Sequence, residues 1–253
     1  MLSVLEVTAS GLLPPPIPSH PLSVFLDLDG VLAPLELTPD AVGPQTERSR
    51  VLRELIARMG ERVAIISGRT LCEIDRITDG QAKAASGIHG LEWRLAKEQV
   101  FRTPADGAIP VVVEALYEFA AEHPGVLVED KGMSAGLHYR QAPQVEDLAV
   151  ALAQKLCAQT GLELQPGALV LELKTPGSNK GLALERFMQH PPFDQGVPIM
   201  IGDDLTDEYG FEAAVKQGGF GILVGSERQT AARYRLDDVS AVLSWLDQLG
   251  RAA

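Results

Sequence analysis

The chain has 253 residues, with 34 acidic against 22 basic side chains and a formal net charge of -12. That balance, without any basic run, excludes the dense Lys/Arg surface that nucleic acid or an anionic membrane rewards, while a small anionic ligand held by local groups or a bound cation stays open. Hydrophobic content of 45% is enough for a core, and no apolar stretch approaches the ~20 residues of a membrane-spanning helix.

Residues 1–21 carry Pro14, Pro15, Pro16, Pro18 and Pro21 and read as an extended lead-in rather than part of the fold. They lack a basic start and a clean apolar stretch, so they make a poor signal peptide. Cys72 and Cys157 are far apart, without metal-ligand spacing, and read as reduced thiols of a cytoplasmic protein.

Short apolar runs that end in polar residues then recur: VFLDLDG (24–30), RVAIISGR (62–69), VPIMIGDD (197–204), FGILVG (220–225) and, more weakly, KAASGIHG (83–90). Unbroken apolar strands suit a parallel sheet covered on both faces. In TERSRVLRELIARMG, Val51, Leu52, Leu55, Ile56 and Met59 recur at helical spacing, with Gly60 as a stop. Residues 181–190 and 206–219 also read as helices. The alternation predicts an α/β fold, a Rossmann-like doubly wound parallel sheet. In such folds ligands bind beyond the carboxyl ends of the strands, where the polar clusters fall.

Residues 107–174 have a different rhythm. A helix (109–122), a hairpin turning near Gly132, a second helix (144–159) and a hairpin turning at Pro166-Gly167 give the order αββ-αββ. This is expected to be an inserted α+β cap domain, which divides the core into 22–106 and 175–253.

Asp27 and Asp29, two residues apart, share one face if the strand runs through them. Two carboxylates so close repel unless a cation lies between them or one carries a proton. GDDLTDE adds Asp203, Asp204 and Asp207 at another strand end. Asp204 or Thr206 suits a helix cap, but three acids in five residues exceed what a cap needs, and carboxylates from two strands suit Mg2+. Ser67 precedes a glycine at a third strand end. Lys180 stands at a helix N-terminus, where the dipole disfavours it unless an anion binds there.

Taken in order, DLDG, SG, a lysine and GDDLTD resemble the four-motif signature of the haloacid dehalogenase-like phosphohydrolases. FLDLDGVLAP, SGIHGLEWR, VEDKGMSAGLHYRQAP, VLELKTPGSNKG and GDDLTDEYGF further resemble the bacterial trehalose-6-phosphate phosphatases, across the insert as well as the core. One departure is Val31, where many members have Thr. The resemblance implies that Asp27 is the nucleophile and that Asp29 is the general acid and base, protonated when substrate binds. It implies Mg2+ held by Asp27, the carbonyl of Asp29 and Asp203, with Asp207 a ligand or a partner of one. Gly30, Ser67 and Lys180 would serve the phosphoryl group. Glu129, Lys131 and Glu172 would read the sugar, with Arg69, His89, His138 and Arg140 as further contacts; for His89, His138 and Arg140 a plain structural role is the competing reading, and Lys174 is a weaker candidate still.

The implied partner is a small-molecule sugar phosphate, with no nucleic acid and no membrane, and a monomer is favoured. The core motifs alone leave another sugar phosphate open, such as sucrose 6-phosphate or mannosyl phosphoglycerate. A receiver-type signalling domain also clusters aspartates, a hydroxyl and a lysine, but the DxD spacing and the insert oppose it. An inactive sugar-phosphate-binding relative would have lost a nucleophile or lysine that is present here.

Overall fold

The computed structural model describes residues 11–97 and 99–252. The first ten residues of the proline-rich lead-in lie outside the described residues. In chain order the elements are β1 (Leu22–Leu26), α1 (Thr46–Arg58), β2 (Val63–Ile66), α2 (Leu71–Ile77), β3 (Ala84–Gly87), β4 (Glu92–Arg94), β5 (Val100–Arg102), α3 (Ile109–Glu122), β6 (Leu127–Asp130), β7 (Ser134–His138), α4 (Glu146–Thr160), β8 (Glu163–Gly167), β9 (Val170–Lys174), α5 (Lys180–Phe187), β10 (Val197–Gly202), α6 (Glu208–Lys216), β11 (Phe220–Val224), β12 (Tyr234–Leu236) and α7 (Val239–Ala252).

The fold is α/β. Its main sheet runs β12-β11-β10-β1-β2-β3-β4-β5. The strands from β12 to β3 are parallel, and β4 and β5 add an antiparallel edge. Alternation along the strands explains why helices cover both faces. Val24 and Leu26 of β1, Val63 and Ile65 of β2, and Ile199 and Ile201 of β10 pack with α1, α2 and α7. Phe25, Ala64, Ile66 and Met200, the residues in between, pack with α5 and α6. Both sets are apolar because both faces are buried. β1 lies where the strand order reverses, so the loops after β1, β2 and β10 open on one crevice.

A second, antiparallel sheet has the order β6-β7-β9-β8. Ala135, Leu137, Leu171 and Leu173 face α3 and α4 and form a separate apolar cluster. The alternate positions Gly136, His138, Val170 and Glu172 face the other way. Register aligns Glu129, Gly136, Glu172 and Gln165 in one row across all four strands. The two sheets are connected at Thr175. Its hydroxyl donates to the Met133 carbonyl at 2.9 Å and accepts from the Asp106 amide at 3.1 Å.

Three expectations change. The β8–β9 hairpin turns at Ala168-Leu169, with Leu169 at φ 60°, while Pro166 and Gly167 remain in β8. An edge strand tolerates proline because its missing amide faces outward. Residues 11–17 are not detached from the fold. The Trp245 indole donates to the Pro15 carbonyl at 3.1 Å, the Arg235 amide donates to Leu13, and Ile17 packs on the core. An extended proline segment leaves its carbonyls free for such donors. Finally, α2, β4, β5, β12 and α7 form where the sequence reading assigned no element. β4, β5 and β12 have three residues each, too few for a periodic signal.

Candidate active site

One end of the crevice is built on glycines. Strand β1 ends at Leu26, and the chain turns through Gly30, whose φ is +73°. A Cβ at Gly30 would overlap the Asp203 carboxylate, and one at Gly202 would overlap Asp207. The missing side chains let three acids from two loops converge. Among the described residues, Asp27, Asp203 and Asp207 offer carboxylate oxygens within 4.8 Å of one another.

Asp207 is fully buried and fully engaged. It accepts from the Asp203 and Asp204 amides, each at 3.0 Å, and from Lys180 Nζ at 2.7 Å. Asp204 caps the turn into α6, so one acid of GDDLTD is a cap. Lys180, the first residue of α5, also donates to Asp27 at 2.6 Å. Burial alone would weaken the Lys180 ammonium, but Asp207 and Asp27 outweigh it and hold it above its ordinary value. The surplus negative charge then falls on the other two acids. Burial raises Asp27 well above its ordinary value against the pull of Lys180. Burial, then Asp207, pushes Asp203 up to about 7. An oxygen-only set with three carboxylates and one ammonium lacks positive charge, and its chemistry fits a hard divalent cation. Because Asp207 is already saturated, Asp27 and Asp203 are the better direct ligands.

Asp29 is not the twin of Asp27 that its spacing suggested. Both its oxygens accept from Arg69, at 2.8 and 2.9 Å, and its carboxylate is not among the clustered acids. The strand stops before Asp27, so the period-2 argument does not reach Asp29. Both its oxygens are engaged by Arg69 in this conformation. Arg69 is anchored in turn on Glu73 at 3.0 Å and on the Pro39 carbonyl at 2.8 Å. Ser67 is buried, and its Oγ accepts from the Arg69 amide at 3.2 Å. Val31 is buried in the core.

The second sheet supplies the opposite wall. Lys131 Nζ donates to Glu172 at 2.9 Å and, across to the core, to the Gly68 carbonyl at 2.9 Å. Ser134 donates to Glu172 at 2.7 Å, and His138 Nε2–H donates to Glu129 at 2.9 Å. Burial opposes the Lys131 charge, but Glu172 and Glu129 outweigh it and push the amine up to about 12. Burial would raise Glu172; Lys131, His89 and Ser134 together outweigh it and hold the carboxyl far below its usual range. His89 stands 3.6 Å from Glu172 at a backbone kink with φ values of 47°, 52° and 105° for Ile88, His89 and Gly90. Burial lowers His89, with Lys180 and Lys131 adding to it and Glu172 opposing. We therefore read His89 as neutral near pH 7, so the carboxylate of Glu172 is supported by Lys131 and Ser134. Arg140 donates to the Ala168 carbonyl at 2.8 Å and so fixes the hairpin tip. Lys174 turns away, to Glu163 at 2.6 Å and the Ser178 carbonyl at 2.5 Å.

One cleft is lined by Asp27, Asp29, Ser67, Arg69, His89, Glu129, Lys131, His138, Arg140, Glu172, Lys180 and Asp203. Gly30 and Asp207 are not on its wall: Gly30 is half-buried and Asp207 fully buried. A family model described as trehalose-phosphatase matches residues 25–240. The chain belongs to the trehalose-phosphatase family. It is 38% identical over 231 residues to the trehalose-6-phosphate phosphatase of Escherichia coli (strain K12), covering 90% of this chain and 86% of that one. It is 33% identical over 205 residues to a probable trehalose-phosphate phosphatase of Sinorhizobium fredii, covering 80% and 77%. In fold it resembles the C-terminal domain of a C. albicans trehalose-6-phosphate phosphatase, with TM-score 0.81, 22% identity and coverage of 92% and 94%. Membership makes the chain a phosphoric monoester hydrolase.

Set beside the trehalose-phosphatase motifs, two parts of this cleft escaped the sequence reading. Leu35 to Pro39 line its core side, and Gln165 to Ala168 line its sheet side. The first follows FLDLDGVLAP directly, a position that could have flagged it. The second sits on the hairpin whose turn was misplaced, and Gln165 falls in the same row as Glu129 and Glu172.

Proposed function

We propose that this chain hydrolyses trehalose 6-phosphate to trehalose and phosphate through a phosphoryl group carried on Asp27, in the cytoplasm and with Mg2+. The observation that supports it most is a single cleft lined by the Asp27–Lys180–Asp203 cluster and by Glu129, Lys131 and Glu172. Asp27 and Asp203, with the Asp29 carbonyl, would hold the ion, and Asp207 would fix Asp203 and Lys180. When bound, Mg2+ supplies positive charge that offsets the clustered carboxylates and orients the phosphoryl group.

Asp27 attacks phosphorus, forming its Oδ–P bond as the bond from phosphorus to the sugar oxygen breaks. Asp29, released from Arg69, gives its proton to the departing sugar oxygen. It then takes a proton from water, whose oxygen attacks phosphorus and frees Asp27. Lys180 and the hydroxyl of Ser67 bind the phosphoryl oxygens. Residues 107–174 act as a cap whose sheet presents Glu129, Lys131 and Glu172 to the sugar hydroxyls and excludes bulk water.

The test is phosphate release from trehalose 6-phosphate, sucrose 6-phosphate and glucose 6-phosphate, with and without Mg2+. The expected result is Mg2+-dependent release with trehalose 6-phosphate preferred. Equal rates on the three esters would remove the substrate assignment, and full activity in chelator would remove the ion.

A further inference from the structure

Two large apolar side chains on the cleft wall are left exposed. Leu35 and Leu37 are 50% and 69% exposed, whereas Asp27, Ser67 and Lys180 at the cleft floor are 5%, 1% and 2% exposed. Scattered exposed leucines are ordinary. These two, however, lie on a short segment whose ends are pinned. Arg48 donates to the carbonyls of Leu32, at 3.3 Å, and Gly43; Arg69 donates to Pro39 at 2.8 Å, and Arg76 to Val42 at 2.8 Å. The only helical turn in this stretch is Pro39–Ala41. Leu32 and Val42, at its two ends, are buried in the main core. The arginines thus hold both ends of the loop, with two leucines between them on the wall of a cleft whose interior is charged. The tip of β8–β9 brings Pro166 and Val170 to the same cleft.

A pyranose ring has a rim of hydroxyls and faces of carbon–hydrogen bonds. Hydroxyls suit Glu129, Lys131 and Glu172, but none of these suits a ring face. The ring that carries the phosphate must lie near the floor, beside Asp27 and Lys180. The second ring then reaches the rim. We propose that Leu35 and Leu37 form a preorganised ledge that takes a carbon–hydrogen face of the second, unphosphorylated ring, with Pro166 and Val170 closing on it from the hairpin tip. The ledge makes the enzyme prefer a disaccharide phosphate over a monosaccharide phosphate. This rests on the trehalose 6-phosphate reading above and adds residues to it.

The experiment compares the wild type with a Leu35→Ser/Leu37→Ser double variant in two assays. The first measures kcat and KM on trehalose 6-phosphate and glucose 6-phosphate. The variant is expected to lose about tenfold more in kcat/KM on the disaccharide ester, mainly through KM. The second measures inhibition of glucose 6-phosphate hydrolysis by unphosphorylated trehalose and by glucose. Wild type should be inhibited more strongly by trehalose, and the variant should lose that difference. A Leu35→Met/Leu37→Met variant should keep it, because methionine preserves the apolar surface. If wild type does not prefer trehalose 6-phosphate among the esters, the function reading fails. If wild type shows no difference between trehalose and glucose, or the serine variant keeps its difference, the ledge is overturned whatever the ester preference.

Discussion

The two ends of the cleft balance their charges in opposite ways. At the phosphate end, Asp27, Asp203 and Asp207 share the one ammonium of Lys180, and Asp27 and Asp203 are both pushed upward. At the sugar end, Glu172 and Glu129 surround Lys131; Glu172 is pushed down and Lys131 up. The first arrangement is incomplete without a cation and a substrate. In the second, Glu172, Glu129 and Lys131 already pair with one another, so a sugar must exchange hydrogen bonds with them, and among the described residues only the buried Nδ1 of His89 is without a partner there. The difference teaches that reaction and recognition are separable: one end stores unpaired charge for a transition state, and the other offers a pre-ordered polar surface.

Substitutions at each end should therefore leave different signatures. The largest effect is expected for Asp27→Asn. It should lower kcat by roughly 10⁴-fold or more on trehalose 6-phosphate and on a small phosphate ester alike. A loss confined to one ester would place Asp27 in recognition. Next comes Asp207→Asn, which removes half the charge that offsets buried Lys180. Denaturant unfolding should show a loss of about 3 kcal/mol, because a buried ammonium is left short of a partner. Unchanged stability would mean that Asp27 alone suffices.

At the sugar end, Glu172→Gln should lower kcat/KM for trehalose 6-phosphate by about 10²-fold, a scale typical of breaking a buried charge pair. A small phosphate ester should be far less affected. Equal losses on both would merge the two ends into one functional unit. The smallest effect concerns His89. Its folded pKa is lowered from 6.5, so the unfolded chain takes up a proton that the folded state refuses. Its contribution is complete above pH 6.5 and is lost as pH falls below that, with a slope of at most about 1.4 kcal/mol per pH unit. His89→Gln should flatten stability between pH 6.5 and 5, a window above the one in which Glu172 begins to titrate. A slope that survives the substitution would assign it elsewhere.

The same contrast explains what the sequence made legible. Asp27, Ser67, Lys180 and Asp203 each follow a strand end or open a helix, so local pattern and topology bring them together without side-chain detail. Glu129 and Glu172 sit on strands whose alternation is ordinary, Lys131 follows the end of β6, and only the family resemblance singled them out. The pairing of Asp29 with Arg69 was not legible, because Arg69 comes from another loop and a spacing rule knows nothing of partners. The Leu35–Pro39 wall was missed because loops pinned through backbone carbonyls leave no side-chain pattern of their own. The lead-in was taken as detached because composition shows that prolines avoid helices and strands, not where Trp245 will find an acceptor.

The row Glu129, Gly136, Glu172 and Gln165 carries one more consequence. Neighbours in such a row are spaced by the strand separation of about 4.8 Å, and their direction is fixed by the pleat. Under the proposed function, selectivity is thus written as alignment between strands, not only as residue identity. One residue inserted into β9 ahead of Glu172 would turn that carboxylate toward α3 and α4 and bring a leucine to the sugar. Such a protein would keep every acid of its catalytic loops and lose its ability to tell one sugar from another.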